Sequence, residues 1–383
     1  MHLTRLSLTN FCNYAALELP LQPGLTVLHG QNAQGKTNVL EAVYLLASGS
    51  SYRAQSDREV IRWGAPEADR LARVLGEAPG GLELEVVVAD MPGLSTKRTL
   101  MNGAGKRLAD FVGRLPAVLF GPEQLDLVTG SPSTRRASLD GALSQTDRTY
   151  FRALAVYNRV LHQRNQLLKQ FREREVHPDE LVYWNGQLVE AGSVISGRRA
   201  RGVQQLAVLA AAHHEQLAPG GGELQLGYET KLFRASGGWP RLADATAEDI
   251  QAEFRAWLAA EADREMAQGV SVVGPHRDDL LLELDGKAVD KFGSRGQQRT
   301  VALALKLAEL DLIREHTGET PLLLLDDVLS ELDEARRAAL SAVVAGHEQV
   351  LLTTTERPDM PAVASYLVRE GTLSPSPSGR GQR

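Results

Sequence analysis

The chain has 383 residues, 43% hydrophobic and 23% charged, which is ordinary globular composition and enough for about two domains with sizeable cores. A net charge of −6 excludes a bulk polycation, so nucleic-acid binding would have to come from local basic patches. One cysteine, Cys12, excludes an intrachain disulfide and a thiolate zinc site, and no apolar run approaches the ~20 residues of a membrane helix.

The opening "MHLTRLSLTNFCNY" mixes charge with alternating apolar residues, unlike a signal peptide, so a cytoplasmic protein is expected. Residues 3–9 alternate as a half-buried strand, and "ALELPLQPGLTVLHG" reads as two strands around a Pro/Gly turn. "KTNVLEAVYLLASG" has helical spacing and ends in glycine. "LELEVVVAD" and "TKRTLMNGAGKRLADF" predict a hairpin with a turn at 102–105, and "LPAVLFGPEQLDLVTGSP" a buried strand followed by a Gly/Pro loop. From about 136 to 215 the spacing is helical, broken near "EVHPDE". Two helices of roughly 35 residues would form a short antiparallel arm reaching roughly 50 Å. Beyond it, "PGGGELQLGYET" reads as strand, "TAEDIQAEFRAWLAAEADREMAQG" as an amphipathic helix, and "VSVVGPHRDDLLLELDGKAV" as strand again. The last ten residues read as a disordered, mildly basic tail.

"GQNAQGKT" at 30–37 matches G-x-x-x-x-G-K-[ST], between a predicted strand and a predicted helix. Gly30 and Gly35 would let the backbone wrap phosphates, with Gln31, Asn32, Ala33 and Gln34 completing the loop. The amides from Asn32 to Asn38 would face the anion. Lys36 would sit against the β- and γ-phosphates of ATP, and Thr37 would place its hydroxyl on Mg²⁺. "LLLLDD" at 322–327 is an apolar strand ending in two acids. Asp326 is the expected metal-side carboxylate, and Asp327 would orient or deprotonate the attacking water. The alternative for the acids is a helix cap with the following "SELD".

"GSRGQQ" at 293–298 opens a long helical segment with small residues, and Ser294 follows Lys36 by 258 positions (294 − 36). A helix start of this kind is a second anion site. "SRGQQ" resembles the signature of ABC-type ATPases, with Arg295 in place of the first glycine. "SELD" resembles their D-loop and "LLTTTE" their switch strand, with threonine where transporters carry histidine. The long helical insert is similar to that of SMC-type DNA repair ATPases. "LTNFCNY", "SSYR", "PEQLDLVTGSPSTRRASLD", "GPHRDDL" and "SRGQQRTVALALKLAE" together resemble the RecF family over nearly the whole chain.

That resemblance implies an α/β, ABC-type (SMC-like) P-loop ATPase head made from both chain ends. Its parts would be 1–135 and 269–373, with a helical arm at 136–268 and a tail at 374–383. It implies an ATP-dependent head-to-tail homodimer in which Ser294, Gly296 and Gln297 serve the partner's nucleotide. Its targets would be double-stranded DNA and gap junctions, with RecR, RecO and RecA as partners, and no membrane. Arg53 would reach back to the phosphates and Gln124 would act in a lid. Family members often carry arginine at the position of Cys12. Asp327 is one methylene shorter than the glutamate of other heads, so hydrolysis should be slow, below the ~1–10³ s⁻¹ of metabolic enzymes. A transporter ATPase subunit and a P-loop small-molecule kinase are the alternatives.

Arg135 and Arg136 read either as phosphate contacts or as a solvated helix start. Arg159, Arg164, Lys169, Arg172 and Arg174 on one arm helix, and Arg198, Arg199 and Arg201 on the other, read as duplex-backbone contacts or as a solvated face. No aromatic platform for stacking single-stranded bases is evident.

Overall fold

Strand alternation near the N-terminus and continuous apolar runs near both ends build two different sheets. The computed structural model describes residues 1–66, 70–91, 94–170, 179–331, 333–358 and 360–376. It divides into two units, Met1–Gln124 with Ile313–Arg383, and Leu125–Leu312.

In the first unit, one six-stranded sheet runs Thr372–Pro375, Ala364–Arg369, Gly24–His29, Gln349–Thr354, Leu322–Asp326, Ala117–Phe120. All its neighbours are parallel except the edge pair Ala364–Arg369 and Thr372–Pro375. Leu322, Leu323, Leu324 and Leu325 are all fully buried, as a parallel strand covered on both faces requires. Each such leucine stabilises the fold by about 1.5–3 kcal/mol. The second sheet is antiparallel, in the order Tyr14–Pro20, Arg5–Phe11, Leu71–Ala78, Leu82–Met91, Leu94–Met101, Ala104–Lys106. The helix Lys36–Ser48 packs against strands of both sheets, and Val39, Leu40, Val43 and Leu46 join one continuous core with Leu6, Leu8, Val74, Val86, Leu322 and Leu351.

Two local expectations change. The turn at Asn102 and Gly103, both at positive φ, leads into the short strand Ala104–Lys106, whereas the hairpin of Leu82–Met91 with Leu94–Met101 closes at 92–93, outside the described residues. The first residues of the predicted tail belong to a strand. Ser374 and Pro375 pair with Leu367 and Tyr366, and Ser376 N–H donates to Ser365 O at 2.8 Å, because a strand edge offers unpaired backbone groups there. Residues 377–383 lie outside the described residues.

The second unit contains the arm. Its helices are Pro132–Thr146, Arg148–Gln170 and Glu180–Leu217, the last of 38 residues. Hydrogen bonds from Arg164 to Asn185 and from Arg199 to Tyr150 fix the long pair as antiparallel, and the break at 171–178 lies outside the described residues. The expected helix after it is two, Ala247–Ala260 and Ala262–Gln268, separated at Glu261 (φ −101°, ψ 6°). Residues 269–312 belong to this unit, although chain order had placed 269–373 with the head. The cause is strand pairing: Asp279–Leu284 lies antiparallel to Leu224–Glu229, with Leu280 opposite Tyr228 and Leu282 opposite Leu226. Only Asp279–Leu284 and Lys287–Ala288 of the predicted strand stretch are strands; Pro275–Arg277 is a single helical turn.

Candidate nucleotide site

The glycine loop joins the strand Gly24–His29 to the helix Lys36–Ser48 and needs left-handed backbone at Gly30 (φ 141°), Ala33 (φ 64°) and Gly35 (φ 109°). A Cβ on Gly30 would lie 2.6 Å from Val368 O, and one on Gly35 would lie 2.4 Å from Asn13 Nδ2. The loop is braced from outside. Asn13 Nδ2 donates to Gln34 O at 2.9 Å, Asn38 Nδ2 to Asn13 Oδ1 at 2.8 Å, and Tyr14 OH to Gly35 O at 3.0 Å. Gln34 Oε1 accepts from Glu370 N–H at 2.8 Å, and its Nε2 donates to Asn32 O at 3.4 Å.

Lys36 is only 6% exposed and folds over its own loop, with Nζ donating to Gly30 O at 2.6 Å and Gln31 O at 2.8 Å. Burial lowers the ammonium from its ordinary pKa, opposed by the carboxylates of Asp327 and Asp326. These carbonyls hold the ammonium at the mouth of the loop, where a phosphate oxygen can replace them. Asn38 N–H bonds Gly35 O at 3.1 Å, because the first helical turn closes there, so it does not join the expected row of anion-facing amides.

The acidic strand end meets this loop. Thr37 Oγ1 donates to Asp326 Oδ1 at 2.8 Å, across 289 positions of sequence. Thr353, fully buried on the neighbouring strand, donates from Oγ1 to the same oxygen at 2.6 Å. Its Oγ1 and carbonyl both accept Asp327 N–H, at 3.0 and 3.2 Å, which holds Asp327 in a left-handed conformation (φ 52°) rare for a non-glycine residue. The helix Glu334–Gly346 is capped by Asp333, which accepts from Arg336 N–H at 3.0 Å, so Asp327 is not its cap. A Cβ at Gly121 would lie 3.8 Å from Asp326 Cβ, which puts the following loop beside the acids. In that loop, Gln124 Nε2 is buried with no hydrogen-bond partner among the described residues.

Arg53 lies at the outer side of the first helical turn. Its Nη1 donates to Asn38 Oδ1 at 3.2 Å and stands 3.6 Å from Glu41. Cys12 Sγ also faces Glu41, at 3.9 Å, and burial together with Glu41 pushes the thiol pKa up to about 12. The guanidinium of Arg53 thus stands by the same carboxylate as Cys12, where many relatives were expected to place arginine.

In the second unit, Ser294 and Gln297 form a capping box at the start of Arg295–Thr317. Ser294 N–H donates to Gln297 Oε1 at 2.8 Å, and Gln297 N–H to Ser294 Oγ at 3.3 Å. Gly296 is half-buried in the first turn, and Gln298 Nε2 anchors the start to Val289 O at 3.2 Å.

The model for the RecF/RecN/SMC N terminal domain matches residues 2–369. A DNA replication and repair protein RecF from Chloroflexus aurantiacus is 40% identical over 401 residues, covering 97% of this chain and 99% of the relative. The chain belongs to the RecF family. Solved structures of the recombination mediator protein RecF in the RecFOR pathway, with ATPrS and with ATP, superpose with TM-scores of 0.87 and 0.85 at 28% identity. Both comparisons cover 98% of this chain, with 98% and 97% of the respective structures. The expected SMC-like ABC ATPase fold is therefore the fold of the chain, and the relatives favour neither the transporter nor the kinase alternative.

Two family motifs away from the loop, "SPSTRRASLD" and "GPHRDD", make internal contacts. Arg135 makes a bidentate pair with Asp279 at 2.8 and 2.7 Å, and Arg136 Nη1 donates to Asp278 O at 2.6 Å. His276 bonds Tyr157 OH through Nδ1 at 2.6 Å and Ser271 O through Nε2 at 3.1 Å. Arg164 and Arg199 are 2% and 3% exposed. They are tied to Glu265 at 2.5 Å and to Asp140 at 2.9 Å, so neither meets duplex phosphate. Arg198 pairs with Asp147 at 2.6 Å and Arg201 donates to Ala243 O at 3.2 Å. Arg159 and Lys169 are exposed, while Arg172 and Arg174 lie outside the described residues. The residues missed from sequence are Asn13 and Tyr14, and the contact of the switch-strand Thr353 with Asp326 was not foreseen. The first two sit inside the quoted "LTNFCNY", and the third stands on its strand just after the apolar Val350, Leu351 and Leu352.

Proposed function

We propose that the chain is an ATP-dependent DNA-binding protein of recombinational repair. The observation that carries this reading is the Thr37–Asp326 contact at 2.8 Å, which joins the phosphate loop to the acidic strand. One hydroxyl and one carboxylate form the sparse donor set that Mg²⁺ uses when substrate phosphates and water complete its shell. Among the described residues no cluster of three His, Cys, Asp or Glu stands ready as a separate metal cage. Mg²⁺ held by Thr37 and Asp326 would neutralise charge on the triphosphate. The loop amides and Lys36 would bind and orient the phosphates, and Asp327, fixed through its amide by Thr353, would hold the attacking water. The short Asp327 side chain makes hydrolysis slow and leaves ATP mainly as a clamp.

Ser294, Gly296 and Gln297 would close over the γ-phosphate held by a second copy, giving an ATP-driven head-to-tail dimer that hydrolysis releases. The dimer would hold duplex DNA near single-strand/double-strand junctions and act with RecR and RecO to load RecA. Support comes from the RecF names of the relatives. Duplex affinity measured by fluorescence anisotropy with ATP, with ADP and without nucleotide tests the reading. It requires ATP-dependent binding that weakens with salt and is lost in Lys36→Met; equal affinity in all three conditions would sink it.

A further inference from the structure

The segment 49–57, which follows the helix Lys36–Ser48, is fastened at both ends by one side chain. Lys97, on the strand Leu94–Met101, donates from Nζ to Gly49 O at 2.9 Å and to Asp57 Oδ1 at 2.8 Å. Gly49 is the left-handed cap of the helix (φ 75°), whose own last turn carries no basic residue. The Lys97 ammonium therefore meets the negative pole of that helix. A plain helix cap would need only the Gly49 contact. The second bond, to Asp57, closes the chain across 50–56, which a cap does not explain. Within those ends lies a second anchor. Ser51 Oγ donates to Glu41, a carboxylate only 4% exposed, and accepts Arg53 N–H at 3.0 Å and Ala54 N–H at 2.9 Å.

The residue these anchors hold is Arg53. Its guanidinium stands 3.6 Å from Glu41, which among the described residues has no other ion-pair partner, and bonds Asn38 Oδ1 at 3.2 Å. Asn38 follows Thr37 in the chain and donates to Asn13, which braces Gln34 of the phosphate loop. Holding a long arginine side chain and its loop in one place costs conformational entropy, and Lys97 carries part of that cost from a different sheet. We infer that Lys97 is a positioning residue for the nucleotide site: by closing the 49–57 segment it keeps the Arg53 guanidinium at the first turn of the phosphate-loop helix. The inference rests on the ATP-binding reading above, with Arg53 meeting the nucleotide, and adds the group that sets Arg53 in place. Both bonds of Lys97 are made to the segment, so it acts through Arg53 and touches no phosphate.

Single-turnover hydrolysis of Mg-ATP by the full chain tests this in a double-mutant cycle on Lys97→Met and Arg53→Ala. Arg53→Ala should slow hydrolysis about tenfold or more, as the loss of a charge-assisted hydrogen bond does. Lys97→Met should slow it nearly as much, and the double variant should be no slower than Arg53→Ala alone. Lys97→Arg, which can donate to both groups, should restore most of the rate. A wild-type rate in Lys97→Met overturns the inference. Losses that multiply in the double variant overturn it too, because a lysine that only stabilises the fold acts whether or not Arg53 is present. So does a wild-type rate in Arg53→Ala. If Lys36→Met hydrolyses ATP as the wild type does, it is the phosphate-loop reading that fails.

Discussion

Replacing Thr353 by valine keeps the side-chain shape and removes one hydroxyl. That hydroxyl donates to Asp326 Oδ1 at 2.6 Å and accepts Asp327 N–H at 3.0 Å, inside a fully buried strand. A hydrogen bond to an ionised acceptor contributes about 1.5–3 kcal/mol net. Losing the second bond costs less, because Asp327 N–H also reaches Thr353 O at 3.2 Å. The nucleotide-free variant should therefore be about 2 kcal/mol less stable. Thr37 still holds Asp326, so ATP should bind within about threefold of wild type, equivalent to less than about 1 kcal/mol. Asp327, no longer pinned through the threonine hydroxyl, should lose its hold on water. A 2 kcal/mol loss confined to the transition state would slow hydrolysis about 30-fold. Urea unfolding and single-turnover hydrolysis read the two effects, and Thr353→Ser should restore both. A valine variant with the wild-type urea midpoint and hydrolysis rate would refute the reasoning.

Gly35→Ala should abolish ATP binding and lower the melting temperature, since the new Cβ meets Asn13 at 2.4 Å at a φ of 109°; adding Asn13→Ala should recover stability only in part, because the backbone strain remains. Normal ATP affinity in the single variant would count against the braced loop. In the second unit, burial raises Asp278 from 3.8 to about 6 and lowers His276 from 6.5 to about 4. Between about pH 4 and 6 the native state holds the extra proton at Asp278, so that group's contribution falls as pH rises. The unfolded state holds the extra proton at His276 up to about pH 6.5, so that contribution rises with pH. The slopes oppose each other. Asp278→Asn should expose the histidine slope, with unfolding free energy climbing by up to about 3 kcal/mol from pH 4 to 6.5. Superimposable pH–stability curves for variant and wild type would contradict this.

The phosphate loop, the buried Leu322–Asp326 strand and the start of the Arg295–Thr317 helix were legible because each is a local pattern. Glycine spacing, an apolar run and a small-residue helix start need no distant partner to be recognised. Arg135, Arg136, Arg164 and Arg199 were not legible, because a charge at helical spacing reads as solvated until its partner is known. Their partners lie elsewhere in the chain: Asp279 for Arg135, Asp140 for Arg199, Glu265 for Arg164. The same blindness moved the boundary at 269, since strand pairing across the insert outweighs chain order. Thr353 was visible as a switch-strand residue, but its double role between Asp326 and Asp327 depends on register with a neighbouring strand.

On the proposed reading, the Ser294 helix start serves a nucleotide bound by another copy. Aspartate caps a helix as well as serine does, so Ser294→Asp should keep the fold while placing a carboxylate where a phosphate must come. Sedimentation velocity with ADP and with ATP, on wild type and on this variant, is the direct measurement. ATP should dimerise the wild type, ADP should leave it monomeric, and Ser294→Asp should bind ATP yet stay monomeric. An aspartate variant that dimerises with ATP as the wild type does, or a wild type that stays monomeric when saturated with ATP, would contradict it.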